Sequence, residues 1–237
     1  MSIDQNIYKN LNKNFQNIKL ILFDLDDTLI SEAEWYLDKW KECDHYLEKK
    51  YGILGFFEKI SQIIDQYGFD YQKKVDDTLI ALDISKKITV NEIVGYYLDT
   101  EVTPVVFPNT HKILSKLNKN FHLGIITSGK RWEQLLKIKL SNIDEYFSSI
   151  DVLENKSKDS SIPFTKCLDF FSVSAENTLY VGNDPLNDFV GAKSIKIKTI
   201  RLLQGIHKET KVSKELDADL KINSLEDFNN QLFSFEM

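Results

Sequence analysis

Short apolar runs alternate along the chain with longer stretches in which apolar residues recur three and four positions apart. The runs at 19–25 (KLILFDL), 121–127 (FHLGIIT), 149–153, 178–182 (TLYVG), 196–202 and 218–222 read as short strands, and those without polar alternation as strands buried on both faces. Helical spacing covers 109–117, 130–140, 162–171, 188–194 and 224–233. Strand and helix in alternation predict an α/β fold, a Rossmann-like doubly wound parallel sheet with right-handed crossovers. One stretch breaks the alternation. From 31 to 102 no strand pattern occurs, and aromatic residues at helical spacing are frequent, among them Trp35, Tyr36, Trp40, Tyr46, Phe56 and Tyr96. It predicts three or four helices, with Gly52, Gly55 and Gly68 at helix ends or turns and Pro104 and Pro108 marking the return to the sheet. The expected division is a core of 1–30 and 103–237 and a small all-α domain of 31–102 inserted between the first two strands.

Composition narrows the partners. The 237 residues carry a formal net charge of −6, and Arg131 and Arg201 are the only arginines. That balance lacks the basic footprint of a nucleic-acid or membrane-surface binder but leaves a small charged ligand open. Cys43 and Cys167 lie far apart with no C-x-x-C spacing, so no disulfide framework or cysteine metal site is expected, and a reducing cytoplasm is the simplest location. Residues 1–19 mix Asn, Lys, Asp and Gln with single apolar residues, without the apolar region of a signal peptide. No stretch reaches the roughly 18 apolar residues of a membrane span.

The chemistry concentrates where strands end. In Phe23-Asp24-Leu25-Asp26-Asp27-Thr28-Leu29 an apolar run passes into three acids and a threonine. Residues two apart on a strand share a face, so Asp24 and Asp26 are expected to project together from the carboxyl end, where open α/β sheets bind ligands. Two carboxylates so close need a proton or a cation between them, and a hard, oxygen-seeking ion such as Mg²⁺ fits. A second strand ends in Gly182-Asn183-Asp184-Pro185-Leu186-Asn187-Asp188, a turn that could complete a cation site with Asp24. Thr127-Ser128-Gly129 offers hydroxyls and amides to an anionic oxygen before the next helix. Lys158 stands in a loop before the 162–171 helix. His45, His111, His122 and His207 show no metal-binding pattern and read as surface or satisfied core groups, and Lys208, Lys211 and Lys214 as a solvated face.

The order and spacing of these elements, over about 19–222, resemble the haloacid dehalogenase-like hydrolase superfamily, which consists largely of Mg²⁺-dependent phosphatases. FDLDDTL matches its first motif, D-x-D-x-T/V-L, without a gap. The resemblance implies Asp24 as nucleophile, Asp26 as general acid/base, and Thr127, Ser128, Gly129 and Lys158 around the phosphoryl group. It also implies Mg²⁺ held by Asp24, Asp26 and the acidic turn of Asn183, Asp184 and Asp188. The run from Ser128 through Gln134 to Lys137 is similar to the subgroup whose helical cap follows the first motif. Three departures stand out. The turn reads Gly-Asn-Asp where Gly-Asp is usual, leaving Asn183 and Asp184 as alternative ligands; the lysine loop lacks the common Lys-Pro and offers Lys156 beside Lys158; and Thr-Asn-Gly is here Thr-Ser-Gly. The implied activity is hydrolysis of a small phosphorylated metabolite in the cytoplasm, through an aspartyl-phosphate. A phosphomutase of the same superfamily and a non-catalytic binding module are the alternatives. Asp26 argues against a true dehalogenase, which needs no such acid.

Overall fold

The chain is described by a computed structural model over residues 17–69, 71–154 and 157–233. Lys156, one of the two candidate lysines, lies outside the described residues. Two compact units are formed: Met1–Glu32 with Pro104–Met237, and Ala33–Thr103.

The first unit is built on six strands: β1 (Leu20–Phe23), β2 (His122–Ser128), β3 (Ser149–Leu153), β4 (Thr178–Gly182), β5 (Lys198–Leu202) and β6 (Leu220–Ile222). They pair in parallel in the order β3-β2-β1-β4-β5-β6. The order reverses at β1, so the loops after β1, β2 and β4 meet at one end of the sheet. β1 is central, with Phe23 in register with Ile125 on one side and Val181 on the other. Alternate residues of each strand serve opposite faces. Ile21, Phe23, Leu123, Ile125, Leu179 and Val181 join the core cluster that includes Ile113, Ile138 and Phe228; Leu20, Leu22, Ile126 and Tyr180 join Phe164, Cys167, Phe189 and Ala192.

In the second unit α1 (Glu32–Tyr51) leads to α2 (Phe56–Tyr67), α3 (Lys74–Ala81) and α4 (Val90–Asp99). Its own core gathers Trp40, Cys43, Leu47, Phe56, Ile60, Ile64, Leu79 and Ile93, with the Trp40 ring stacked on Tyr97 at 4.1 Å. The remaining helices return to the first unit: α5 (Thr110–Leu117), α6 (Arg131–Leu140), α7 (Ile162–Phe171), α8 (Phe189–Ser194) and α9 (Leu225–Phe233). Strand and helix bounds follow the apolar runs to within three residues at each end.

Candidate active site

β1 ends at Phe23, earlier than the run of apolar residues suggests. Asp24 still donates its amide to Val181 O (2.9 Å), but beyond it the chain turns: the amides of Thr28, Leu29 and Ile30 all reach back to Leu25 O at 3.2, 2.9 and 3.3 Å. Asp27 takes the left-handed conformation, φ 52°, that the turn requires. Asp24 and Asp26 therefore do not share a strand face by period two, as their spacing predicts. The turn brings them to one cavity instead.

Asp24 is buried and accepts from the Lys158 ammonium at Oδ1; the same ammonium donates to Asp188 Oδ1 at 2.7 Å. Burial pushes the Asp24 carboxyl up to about 7, against the opposing pull of Lys158. Burial alone would lower Lys158, but Asp188 and Asp24 outweigh it and hold the ammonium well above its ordinary value. Asp188, also buried, uses Oδ2 to accept the amides of Asn183 (2.9 Å) and Asp184 (2.8 Å). Both of its oxygens are thus engaged within the protein. Two glycines make this possible by close approach. A Cβ on Gly182 would lie 2.4 Å from Asp188 Oδ2, and one on Gly191 would lie 2.3 Å from Lys158 O and 2.4 Å from Ser160 O, so α8 packs directly on the backbone that carries the lysine.

Asp26 has different partners. Gln134 Nε2 donates to its Oδ2 at 2.7 Å and Lys137 Nζ to its Oδ1 at 2.8 Å. Gln134 Nε2 also lies 3.0 Å from Thr127 Oγ1 and 2.7 Å from Ser128 O. Glu32 stands 3.7 Å from Lys137; burial and the neighbouring Asp26 push its carboxyl up to about 8. Lys137 is raised although burial opposes its charge, because Asp26 and Glu32 favour it.

The third acid of the first motif is structural. Asp27 accepts the Glu32 amide at Oδ1 and the Ile206 amide at Oδ2, each at 3.0 Å. Gln204 Nε2 adds bonds to Asp27 O (3.0 Å) and Thr28 O (2.9 Å), so the loop after β5 is tied to the loop after β1. Asp184 shapes its own turn, accepting from the Leu186 amide (2.9 Å) and Asn187 Nδ2 (2.5 Å), with His207 Nε2 at 3.5 Å. Asn183 is buried, and its Oδ1 accepts from the Thr28 hydroxyl at 3.3 Å. That hydroxyl is 3.5 Å from Asp24 Oδ2, so the Asn183 and Asp24 oxygens converge on one point.

These residues line a cavity of about 340 Å³ with Asp24, Asp26, Asp27, Glu32, Thr127, Ser128, Lys158, Asn183, Asp184 and Asp188 on its wall. Gly129 is exposed and does not line it. Ile206 and His207 do, so His207, read from sequence as a surface or satisfied core group, is a partly exposed residue of the cavity wall. The ties through Asp27 and Gln204, an Arg201 guanidinium bond to His207 O and the nearby Asp184 carboxylate hold it there, and no local sequence signal announces that. Gln134 and Lys137 entered the sequence reading through the family resemblance alone, without a role; the structure places both on Asp26.

Among the described residues, six carboxylates line the wall with Lys158 and His207 as the cationic side chains beside them, and Lys137 reaches two of the six, Asp26 and Glu32. Such a cavity repels a phosphate unless a cation enters with it. The oxygen-only chemistry of Asp24 and Asn183 suits a hard divalent ion. Among the described residues no three His, Cys, Asp or Glu side chains form a ready cage, consistent with an ammonium already held between Asp24 and Asp188. A cation site here would draw on carbonyl oxygens as well as carboxylates.

Comparison with known proteins agrees with this geometry. Residues 21–202 match the model of the haloacid dehalogenase-like hydrolase family. A glyceraldehyde 3-phosphate phosphatase of Methanocaldococcus jannaschii is 30% identical, over 89% of this chain and 95% of its own. A pyrophosphatase PpaX of Bacillus mycoides is 27% identical over 77% of this chain and 82% of its own. In fold, the chain superimposes on a phosphatase of the same family from Thermococcus onnurineus with a TM-score of 0.56 at 23% identity, over 91% of this chain and 98% of that one. The chain belongs to the haloacid dehalogenase-like hydrolase family.

Proposed function

We propose that this phosphatase hydrolyses a small phosphorylated metabolite through an aspartyl-phosphate on Asp24, with Mg²⁺ as its cation. One observation carries the reading: a buried aspartate paired with a buried lysine faces the same cavity as a second aspartate two residues on. The modest cavity volume and relatives named for glyceraldehyde 3-phosphate and pyrophosphate support a small substrate.

In the first step a carboxylate oxygen of Asp24 bonds to phosphorus while the bond from phosphorus to the leaving oxygen breaks, and Asp26 gives that oxygen a proton. In the second a water attacks the same phosphorus, Asp26 takes its proton, and the bond to Asp24 breaks, freeing phosphate. The Lys158 ammonium and the Thr127 and Ser128 hydroxyls meet the charge on the phosphoryl oxygens, while Gly129 lets the chain turn into α6. Mg²⁺, when bound, offsets the repulsion between the phosphate and the acidic wall. Its proposed ligands are the Asp24 carboxylate, the Asp26 main-chain carbonyl and Asn183 Oδ1. Asp184 is assigned to holding its own turn, and Asp188 to holding Lys158. The helical unit is assigned the part of the cap that selects the leaving group. The free, buried Cys43 and Cys167 suit the reducing cytoplasm.

The test is phosphate release from an aryl phosphate with and without Mg²⁺, for the wild type and Asp24→Asn. Turnover that needs the metal and vanishes in the variant, together with a hydroxylamine-labile phosphoryl label on acid-quenched wild-type protein, is expected. Full activity in Asp24→Asn refutes the assignment.

A further inference from the structure

Asp26 is gripped at both oxygens by a single helix. Gln134 and Lys137 lie three positions apart on α6 and so share one of its faces. Both are almost completely buried, at 2% and 1% exposure. A carboxylate oxygen has two lone-pair sites; α6 takes one on each oxygen, and the Asp26 side chain keeps 16% exposure to the cavity it lines. The same Gln134 nitrogen reaches Thr127 Oγ1 at 3.0 Å. The two hydrogens of that nitrogen serve Asp26 Oδ2 and Ser128 O first, both at 2.7 Å, so Thr127 Oγ1 shares one of them; in that contact the threonine oxygen can only accept, and its own hydrogen is left for another acceptor.

This arrangement is a poor one for stability alone. The Gln134 Oε1 atom has no hydrogen-bond partner among the described residues, so the amide is held through its nitrogen, on the site side. Lys137 is a buried charge, and an apolar residue in its place would avoid the desolvation cost. What both side chains achieve is a fixed direction for the Asp26 carboxyl and the Thr127 hydroxyl.

We propose that Gln134 and Lys137 are positioning residues, which aim the Asp26 carboxyl at the leaving-group oxygen and the Thr127 hydroxyl at the phosphoryl group. The inference rests on the phosphatase reading above, in which Asp26 is the acid and base. It predicts a defect that depends on how much the leaving group needs a proton.

The experiment measures kcat/KM of the holoenzyme with Mg²⁺ on a series from alkyl phosphates through 4-nitrophenyl phosphate to 2,4-dinitrophenyl phosphate. General acid catalysis contributes about 10²–10⁴-fold, so Lys137→Met, by misaiming the acid, is expected to lose about 10- to 100-fold on alkyl phosphates. On 2,4-dinitrophenyl phosphate, whose leaving group departs unprotonated, the loss should nearly disappear. Adding Lys137→Met to Asp26→Asn should cost nothing further on 4-nitrophenyl phosphate, since the lysine acts only through that carboxyl. Gln134→Met creates no unpaired buried charge; it should lose more on alkyl phosphates than on 2,4-dinitrophenyl phosphate, with a smaller loss shared by every substrate through Thr127, so misfolding of one variant leaves the test intact. An equal loss across the series, or a full additional loss on the Asp26→Asn background, overturns the inference. A wild type that releases no phosphate, or an active Asp24→Asn, removes the underlying reading instead.

Discussion

Asp188 has two possible parts, and they predict opposite signs. If it belongs to a set of carboxylates awaiting a cation, deleting it from the metal-free protein relieves repulsion with Asp24 and stabilises the fold. If it anchors the site, deletion destabilises. The structure favours the anchor: Lys158 Nζ sits 2.7 Å from Oδ1, and two backbone amides reach Oδ2 at 2.8 and 2.9 Å. Removing one partner of a buried ion pair costs about 3–5 kcal/mol. Each amide stripped of its acceptor adds up to about 1–3 kcal/mol. Asp24 stays beside Lys158, and water can enter from the cavity, so Asp188→Ala is expected to cost about 3–5 kcal/mol in total. Asp188→Asn keeps an oxygen for the amides and should cost less. As a control, the exposed pair of Lys139 and Asp144, at 2.9 Å, carries the same formal charges; Asp144→Ala should cost under about 1 kcal/mol. Urea denaturation followed by far-ultraviolet circular dichroism, in EDTA, measures all three. A stabilised Asp188→Ala, or a loss no larger than that of Asp144→Ala, refutes the reasoning.

Gly191→Ala should push the Lys158 loop outward, because the new methyl would meet Lys158 O at 2.3 Å. We expect overpacking of about 1–3 kcal/mol and a fall in kcat of at least about tenfold from the displaced ammonium; thermal melts and kinetics report both, and an unchanged kcat contradicts the packing argument. Burial pushes the thiols of Cys43 up to about 12 and Cys167 up to about 11. Below pH 9 both are neutral in the folded and largely so in the unfolded chain; from pH 9 upward the unfolded thiols lose protons first, so stability should fall progressively toward pH 11–12. At pH 8.5 a disulfide reagent should therefore label denatured protein quickly and native protein slowly, and equal rates would show that the thiols are accessible.

Much of the fold was legible because strands buried on both faces leave uninterrupted apolar runs, as in TLYVG at β4. Asp24, Asp26, Thr127 and Lys158 were legible because the sheet delivers their loops to one end, a consequence of strand order and not of any single segment. What could not be read is the partner of each group. That Lys137 holds Asp26, 111 residues away, depends on the β1–β2 register. That His207 reaches the cavity depends on Asp27 accepting an amide from the loop after β5. Asp27 is only one of three adjacent acids in sequence; its left-handed turn and two amide partners give it a structural task.

The central position of β1 has a consequence for biosynthesis. Among the first residues of the sheet to leave the ribosome, β1 must wait for β2 and then for β4, residues 178–182, before both its edges are paired. The helical unit, by contrast, draws its core from residues 40–97 alone. Short-range contacts form faster than long-range parallel pairing. The insertion should therefore fold on the emerging chain while β1 is still unpaired, which makes the nascent core, with its exposed LILF strand, the stage at which a chaperone is most needed.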